Sequence, residues 1–306
     1  MLEGFESASL QAQVGYSSSI DAKPATGFAF LSEDYDRALT DGSVRCENDP
    51  FCYSSSEPLV LLPQGYIYPT YLANPHEPRA GTQWVYEQDD GWLWDSTLGG
   101  RVGLFRWGPA DRPTGVQLDI LGAAKLRMDP KDEFDVRSVD FQVDLPLSWD
   151  YGPHKFKLAY SHLSSHLADE FLLKNPGYDR LNYVRDSILF GYSYYPLPSW
   201  RLYGEASYSF YTRVAEPWGF TFGAEYAPTV PTGLQGAPFA AANVTLREEV
   251  NFSGALTVQA GWSWRSVHNP SGLLRTGLFY YNGKSPQFSF FDQFEQQIGY
   301  GIWYDY

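Results

Sequence analysis

The sequence predicts an all-β fold, a transmembrane antiparallel up-and-down β-barrel of about twelve strands. Three observations predict it. Long segments alternate apolar and polar side chains, aromatic residues gather at the ends of those segments, and the composition joins a high aromatic content to a polar average. Aromatic residues make up 17% of the 306 residues and charged residues only 19%, yet the mean hydropathy is −0.35. That combination is expected when one face of every strand meets lipid and the other meets a polar interior. No run of eighteen apolar residues occurs, so a spanning helix is excluded. A closed sheet is then the remaining way to satisfy backbone groups in lipid.

The segment 1–80 lacks sustained alternation and carries turn-forming clusters at Asp21–Pro24, Asp41-Gly42 and Asn74-Pro75. It is expected to precede the barrel as a periplasmic or plug segment. The stretch from Leu59 to Tyr71 is apolar but broken by Pro63 and Pro69, which suits a plug, a cap or a wrap rather than a strand. Cys46 and Cys52 are the two cysteines. A disulfide across their short loop is the expectation, with free thiols or a partial metal site as alternatives. Met1-Leu2-Glu3-Gly4-Phe5 is acidic and has no apolar core, so any signal peptide is expected to have been removed.

The barrel is expected over 81–306, with strands near 81–88, 97–107, 114–127, 136–149, 155–165, 183–195, 200–212, 217–227, 238–247, 253–265, 273–282 and 296–306. From Ser138 to Trp149, Val139, Phe141, Val143, Leu145 and Leu147 alternate with Ser138, Asp140, Gln142, Asp144 and Ser148. The same pattern recurs at Val116–Arg127, Trp200–Phe210 and Phe252–Trp264. The chain closes on Tyr300, Ile302, Tyr304 and Tyr306, which share one parity, while Gly301, Trp303 and Asp305 share the other. Soluble sandwich strands also alternate but run to roughly five or six residues, and length decides against them. Trp149, Trp200, Phe210, Trp262 and Trp264 sit where belts at the two lipid interfaces would lie.

If the amino terminus starts in the periplasm, 150–154 and 195–199 become short periplasmic turns, and 166–182 and 283–295 become outward loops. Asp140 and Asp144 on one strand face Lys155 and Lys157 on the next, and Arg201 and Glu205 share an inner face. Such charges would pair, so a filled lumen is expected, with a narrow solute pathway as the alternative. A net charge of −14 and a pI near 4.7 exclude nucleic acid as a partner. The expected partners are outer-membrane lipids, the assembly machinery that engages the C-terminal strand, and a second copy or another membrane protein. P-loop, G-x-S-x-G and zinc signatures are absent. The acidic run Asp129–Glu133 reads as a solvated loop.

Two resemblances add to this. Leu72–Arg79, Gly99–Leu104, Ser164–Phe171 and Asn282–Pro286 resemble a family of Gram-negative outer-membrane barrel proteins recorded only as a domain of unknown function. That resemblance implies a barrel and no activity. His162-Leu163-Ser164, followed by Asn182 at the head of the next strand, resembles the outer-membrane phospholipase A family. This second resemblance implies Ser164 as nucleophile, His162 as its base, Asn182 as the group holding the imidazole, and Ca²⁺ at the oxyanion, for which Asp169 and Glu170 offer oxygen ligands. The parity of Phe156, Leu158 and Tyr160 puts His162 and Ser164 on the lipid side, where an acyl ester would lie. The chain departs from that family in having Ser165-His166 after the serine where the family has Asn-Gly, and in a longer loop before Asn182. Two functions follow as expectations: a non-catalytic barrel of structural, partner-binding or narrow-pathway role, or a Ca²⁺-dependent acyl hydrolase.

Overall fold

The structure, a computed structural model, describes residues 59–266 and 271–306; Cys46 and Cys52 lie outside them. Thirteen strands follow in order: β1 Leu59–Leu61, β2 Ala80–Glu87, β3 Gly91–Trp107, β4 Val116–Asp129, β5 Asp135–Tyr151, β6 His154–Leu167, β7 Tyr183–Leu197, β8 Trp200–Arg213, β9 Trp218–Tyr226, β10 Ala237–Arg247, β11 Gly254–Arg265, β12 Leu273–Lys284 and β13 Phe294–Asp305. One short helix, α1 Asp169–Lys174, lies between β6 and β7. Each strand from β2 to β13 pairs antiparallel with its sequence neighbours, and β13 closes on β2. The result is a twelve-stranded closed barrel. The extra strand, β1, continues the β2 edge of β3: β2 pairs with Gly91–Leu98 and β1 with Phe105–Trp107.

Alternation sets which face each residue takes. On β5, Phe141, Val143 and Leu145 are exposed on the outer wall, while Ser138, Asp140, Gln142, Asp144 and Ser148 are buried inside. On β13, Tyr300 and Ile302 face out and Trp303 and Asp305 are buried. Aromatic pairs ring both ends of the outer wall. Trp149 with Phe156 (5.4 Å between centroids) and Trp200 with Tyr226 (5.1 Å) lie at the rim that holds the carboxyl terminus. Tyr86 with Trp92 (5.7 Å) and Tyr208 with Trp218 (5.0 Å) lie at the far rim.

Residues 62–79 run inside the barrel at the carboxyl-terminal rim. This segment forms no regular structure, so its carbonyls need outside donors, and arginines supply them. Arg106 Nη2 donates to Gln64 O and Gly65 O at 2.7 Å, Arg101 Nη1 to Tyr68 O at 2.8 Å, and Arg201 to Pro69 O and Thr70 O at 2.9 Å. Arg79 donates to Leu72 O at 2.7 Å and Tyr71 O at 2.6 Å. Arg79 and Arg275 both reach Asp305, at 3.3 and 2.6 Å. The two ends of the segment cross β3 where it has no side chain to obstruct them. A Cβ on Gly99 would lie 2.8 Å from Arg79 N, and one on Gly103 2.9 Å from Pro63 O.

From the far rim, the connection after β12 folds into the lumen. Ser285 and Gln287–Phe290 are buried. Ser138 Oγ donates to Gln287 Oε1 at 2.9 Å and Phe288 N to Asp140 Oδ2 at 3.2 Å, and Phe288 stacks on Tyr183. The strand pattern predicts an outward loop over 283–295. It turns inward because Phe288 and Phe290 carry more apolar surface than an exposed loop keeps in water. The lumen charges also pair differently from expectation. Lys157 meets Glu205 at 2.6 Å and Arg201 meets Glu225 at 3.3 Å, while Lys155 lies over the Tyr195 ring. Lys157 reaches past β7 to β8, whereas Arg201 pairs with the residue directly opposite it on the neighbouring β9.

Candidate functional site on the outer wall

β6 and β7 pair with His162 opposite Asp186 and Ser164 opposite Val184. Outward parity puts His162 and Ser164 on the same face, two residues apart, or roughly 6.6 Å along the strand. His162 Nδ1 lies 2.7 Å from Asp186 Oδ1, and Tyr160 Oη donates to the same oxygen at 2.9 Å. With Nδ1–H given to the carboxylate, the Nε2 lone pair is the one available to a substrate proton, the tautomer a general base needs. Among the described residues, Ser164 Oγ makes no hydrogen bond. The neighbouring strand is bulged at this level: β8 pairs Tyr211 with Asp186 but Ser209 with Ser187, and Phe210 is left over. The bulge turns the consecutive aromatics Phe210 and Tyr211 outward together, beside Asp186.

The other residues singled out by the sequence stand apart. Asn182 is exposed in the coil before β7. Since Ser165 pairs with Tyr183, Asn182 lies near the level of His166, which itself contacts the Phe141 ring. The structure therefore brings His162 together with Asp186, not with Asn182. Asp169 and Glu170 are exposed in the first turn of α1, and Glu170 Oε2 accepts the Val136 amide at 2.8 Å. Among the described residues no three His, Cys, Asp or Glu side chains converge on a point where a metal would sit, so this pair does not by itself fit a Ca²⁺ site. Nearby acidic groups are already countered, Asp135 by Lys174 at 2.7 Å and Asp90 by Arg137 at 2.5 Å.

Sequence reasoning missed Asp186. The available signal was an ionisable residue at an outward position between Val184 and Ile188, where a lone carboxylate is costly. The register that sets it against His162 depends on the path of 168–182, which alternation does not encode.

The solved structures most similar to this barrel include two phospholipases. Outer membrane phospholipase A from Escherichia coli aligns at 11% identity with a TM-score of 0.51, over 76% of this chain and 95% of that one. The Salmonella typhi outer membrane phospholipase, a dimer with bound calcium, aligns at 12% and 0.52, over 77% and 91%. The KdgM porin aligns at 10% and 0.41, over 74% and 99%. At these identities what is shared is the fold of outer-membrane barrels. No curated protein matches the sequence. Residues 54–306 match the family described as protein of unknown function (DUF1207), and the chain belongs to that family.

Proposed function

We propose that this protein is a plugged, non-conducting barrel of the bacterial outer membrane. On this reading it serves as a scaffold that presents its outer wall and rims to lipids and partner proteins, rather than as a passage for solutes. One observation carries the reading: the lumen is entered from both rims, and the two inserts meet where the His76 and Phe288 rings lie 4.7 Å apart. The carboxyl-terminal rim is assigned to the periplasm and the α1 rim to the outside. Planar-bilayer recording tests the reading. The wild-type protein should be silent at every applied voltage, and Arg79→Ala together with Arg201→Ala should release the 62–79 segment and produce channel openings. Steady ohmic conductance by the wild type would contradict it.

A second reading is favoured by the His162–Asp186 contact at 2.7 Å. Ser164 Oγ would attack an acyl ester presented from the lipid, with its proton passing to His162 Nε2. The tetrahedral adduct would then expel the alcohol, which takes that proton from the imidazolium. Water, activated by the same nitrogen, would cleave the acyl-serine to free fatty acid and restore Ser164. Asp186 holds the imidazole and stabilises its charged form. Asp169 and Glu170, which lack converging partners among the described residues, take no part in these steps. Mixed micelles of phospholipid, with Ca²⁺ and with chelator, test this reading through released fatty acid. Ser164→Ala should abolish release, and release that survives the substitution removes the reading.

A further inference from the structure

Between the plug and the far-rim insert lies an internal cavity of about 90 Å³, walled by ionisable groups that neither reading above uses. Lys157 and Glu205 pair at 2.6 Å, as do Arg101 and Asp119 at 2.5 Å, with Arg101 Nε left unpartnered. Those remaining fall into two groups. Toward the middle of the barrel stand Glu77, from the plug, and Asp144, from β5. Toward the far rim stand Arg185, from β7, and Arg247, at the end of β10, with Phe288 between them, 4.8 Å from Arg185 Cζ and 5.2 Å from Arg247 Cζ.

Arg247 has a counter-charge in Glu249, whereas Glu77, Asp144 and Arg185 form no ion pair among the described residues. Among the described residues, the Glu77 and Arg185 side chains make no hydrogen bond or ion pair. Asp144 and Arg247 are 7% and 4% exposed, and each keeps one polar atom without a hydrogen-bond partner, Asp144 Oδ1 and Arg247 Nη1. Asp144 Oδ2 accepts from Gln142 at 2.7 Å. Arg247 Nη2 donates to Ser285 O at 3.3 Å and Phe291 O at 3.1 Å, and its Nη1 stands 3.6 Å from Glu249 Oε1, too far to bond. His76, on the same wall, also leaves Nδ1 unpartnered. Buried polar atoms without partners are rare and costly. These atoms are themselves sealed from solvent, so the groups that open onto the cavity are the half-buried Glu77 side chain on one side and the half-buried Arg185 side chain on the other.

We propose that this cavity binds a small zwitterion, a molecule carrying an ammonium group and a carboxylate a few bonds apart. Its ammonium is taken by Glu77, in the field of Asp144, and its carboxylate by Arg185, in the field of Arg247. A simple anion leaves Glu77 without a partner, and a simple cation leaves Arg185 so; a molecule with both charges answers both. The cavity admits something of amino-acid size and excludes a phospholipid or an oligosaccharide.

The test uses the full chain in detergent micelles and the straight-chain series from glycine to 6-aminohexanoate, with acetate and methylammonium as single-charge controls. Each compound is present during refolding, so that enclosure does not block entry. The thermal midpoint and the heat of titration are read. One chain length should stabilise saturably, the controls should not, and Arg185→Gln and Asp144→Asn should each weaken binding roughly tenfold or more. Glu77→Gln, on the plug rather than the barrel wall, supplies a variant whose folding does not depend on a strand. Equal stabilisation by acetate or methylammonium, unchanged affinity in the variants, or no effect across the series, which would mean a cavity filled by water only, overturns the proposal.

Discussion

The His76 imidazole lies against the Phe288 ring with centroids 4.7 Å apart and planes tilted by 31°, although the two residues enter the barrel from opposite rims. Phe288 is fully buried and also stacks on Tyr183 at 5.0 Å. This contact joins the plug to the far-rim insert, so losing it should loosen both. Phe288→Ala is expected to lower stability by about 3–5 kcal/mol, the usual cost of emptying a buried aromatic site. Urea unfolding in micelles measures it, and a loss within ~0.5 kcal/mol would mean the insert is not packed as described.

His76 gives the same junction a pH dependence. Burial, followed by the Lys125, Arg247 and Arg185 charges, holds its imidazole well below the ordinary histidine range. The folded protein therefore keeps His76 neutral at pH values where the unfolded chain protonates it. The contribution to stability is complete above about pH 6.5 and is lost as pH falls below that, at up to roughly 1.4 kcal/mol per pH unit. His76→Phe keeps a ring against Phe288 and removes the titration. Unfolding midpoints measured from neutral to mildly acidic pH should fall in the wild type and flatten in this variant; parallel profiles would contradict the assignment.

The strands were legible in the sequence because alternation is the direct imprint of one apolar and one filled face. The run Val139 to Leu147 set the β5 faces correctly, and Tyr300, Ile302, Trp303 and Asp305 set those of β13. Residues 62–79 and 285–291 follow no period. Their placement rests on carbonyl capping by Arg79, Arg101, Arg106, Arg201 and Arg275 and on the burial of Phe288, interactions between residues far apart in sequence. At the candidate site, the outward parity of His162 and Ser164 was readable. The partnership with Asp186 was not, because it is fixed by the β6–β7 register.

Gly103 illustrates how the plug constrains the barrel wall. Its missing side chain leaves room for Pro63, whose Cγ and O would both lie 2.9 Å from an added Cβ. Gly103→Val should destabilise the folded barrel by about 1–3 kcal/mol through forced displacement of that chain. Comparative denaturation against Gly100→Val, where an added Cβ meets nothing within 4 Å, separates the steric effect from the glycine's own conformational freedom. Equal costs at both positions would remove the explanation.

If the outer-wall site hydrolyses esters, Asp186 is its orienting group. Asp186→Asn should leave the strands paired but reduce turnover by as much as roughly 10⁴-fold, since the amide no longer fixes the imidazole tautomer. Asn182→Ala should change turnover little, because Asn182 lies level with His166 rather than His162. Fatty-acid release by the two variants, assayed side by side, reverses the assignment if Asn182→Ala is the inactive one.

The most direct test of the account is depth-resolved quenching in vesicles containing brominated acyl chains, with Cys46 and Cys52 replaced by serine and one new cysteine labelled with a fluorophore at a time. Labels at Phe141 and Val143 on β5 should be strongly quenched, while labels at the inward Ser161 and Ser207 should be unaffected, because the lumen is closed to lipid. Equal quenching at all four positions, or none at Phe141 and Val143, would contradict a closed barrel whose apolar wall faces acyl chains.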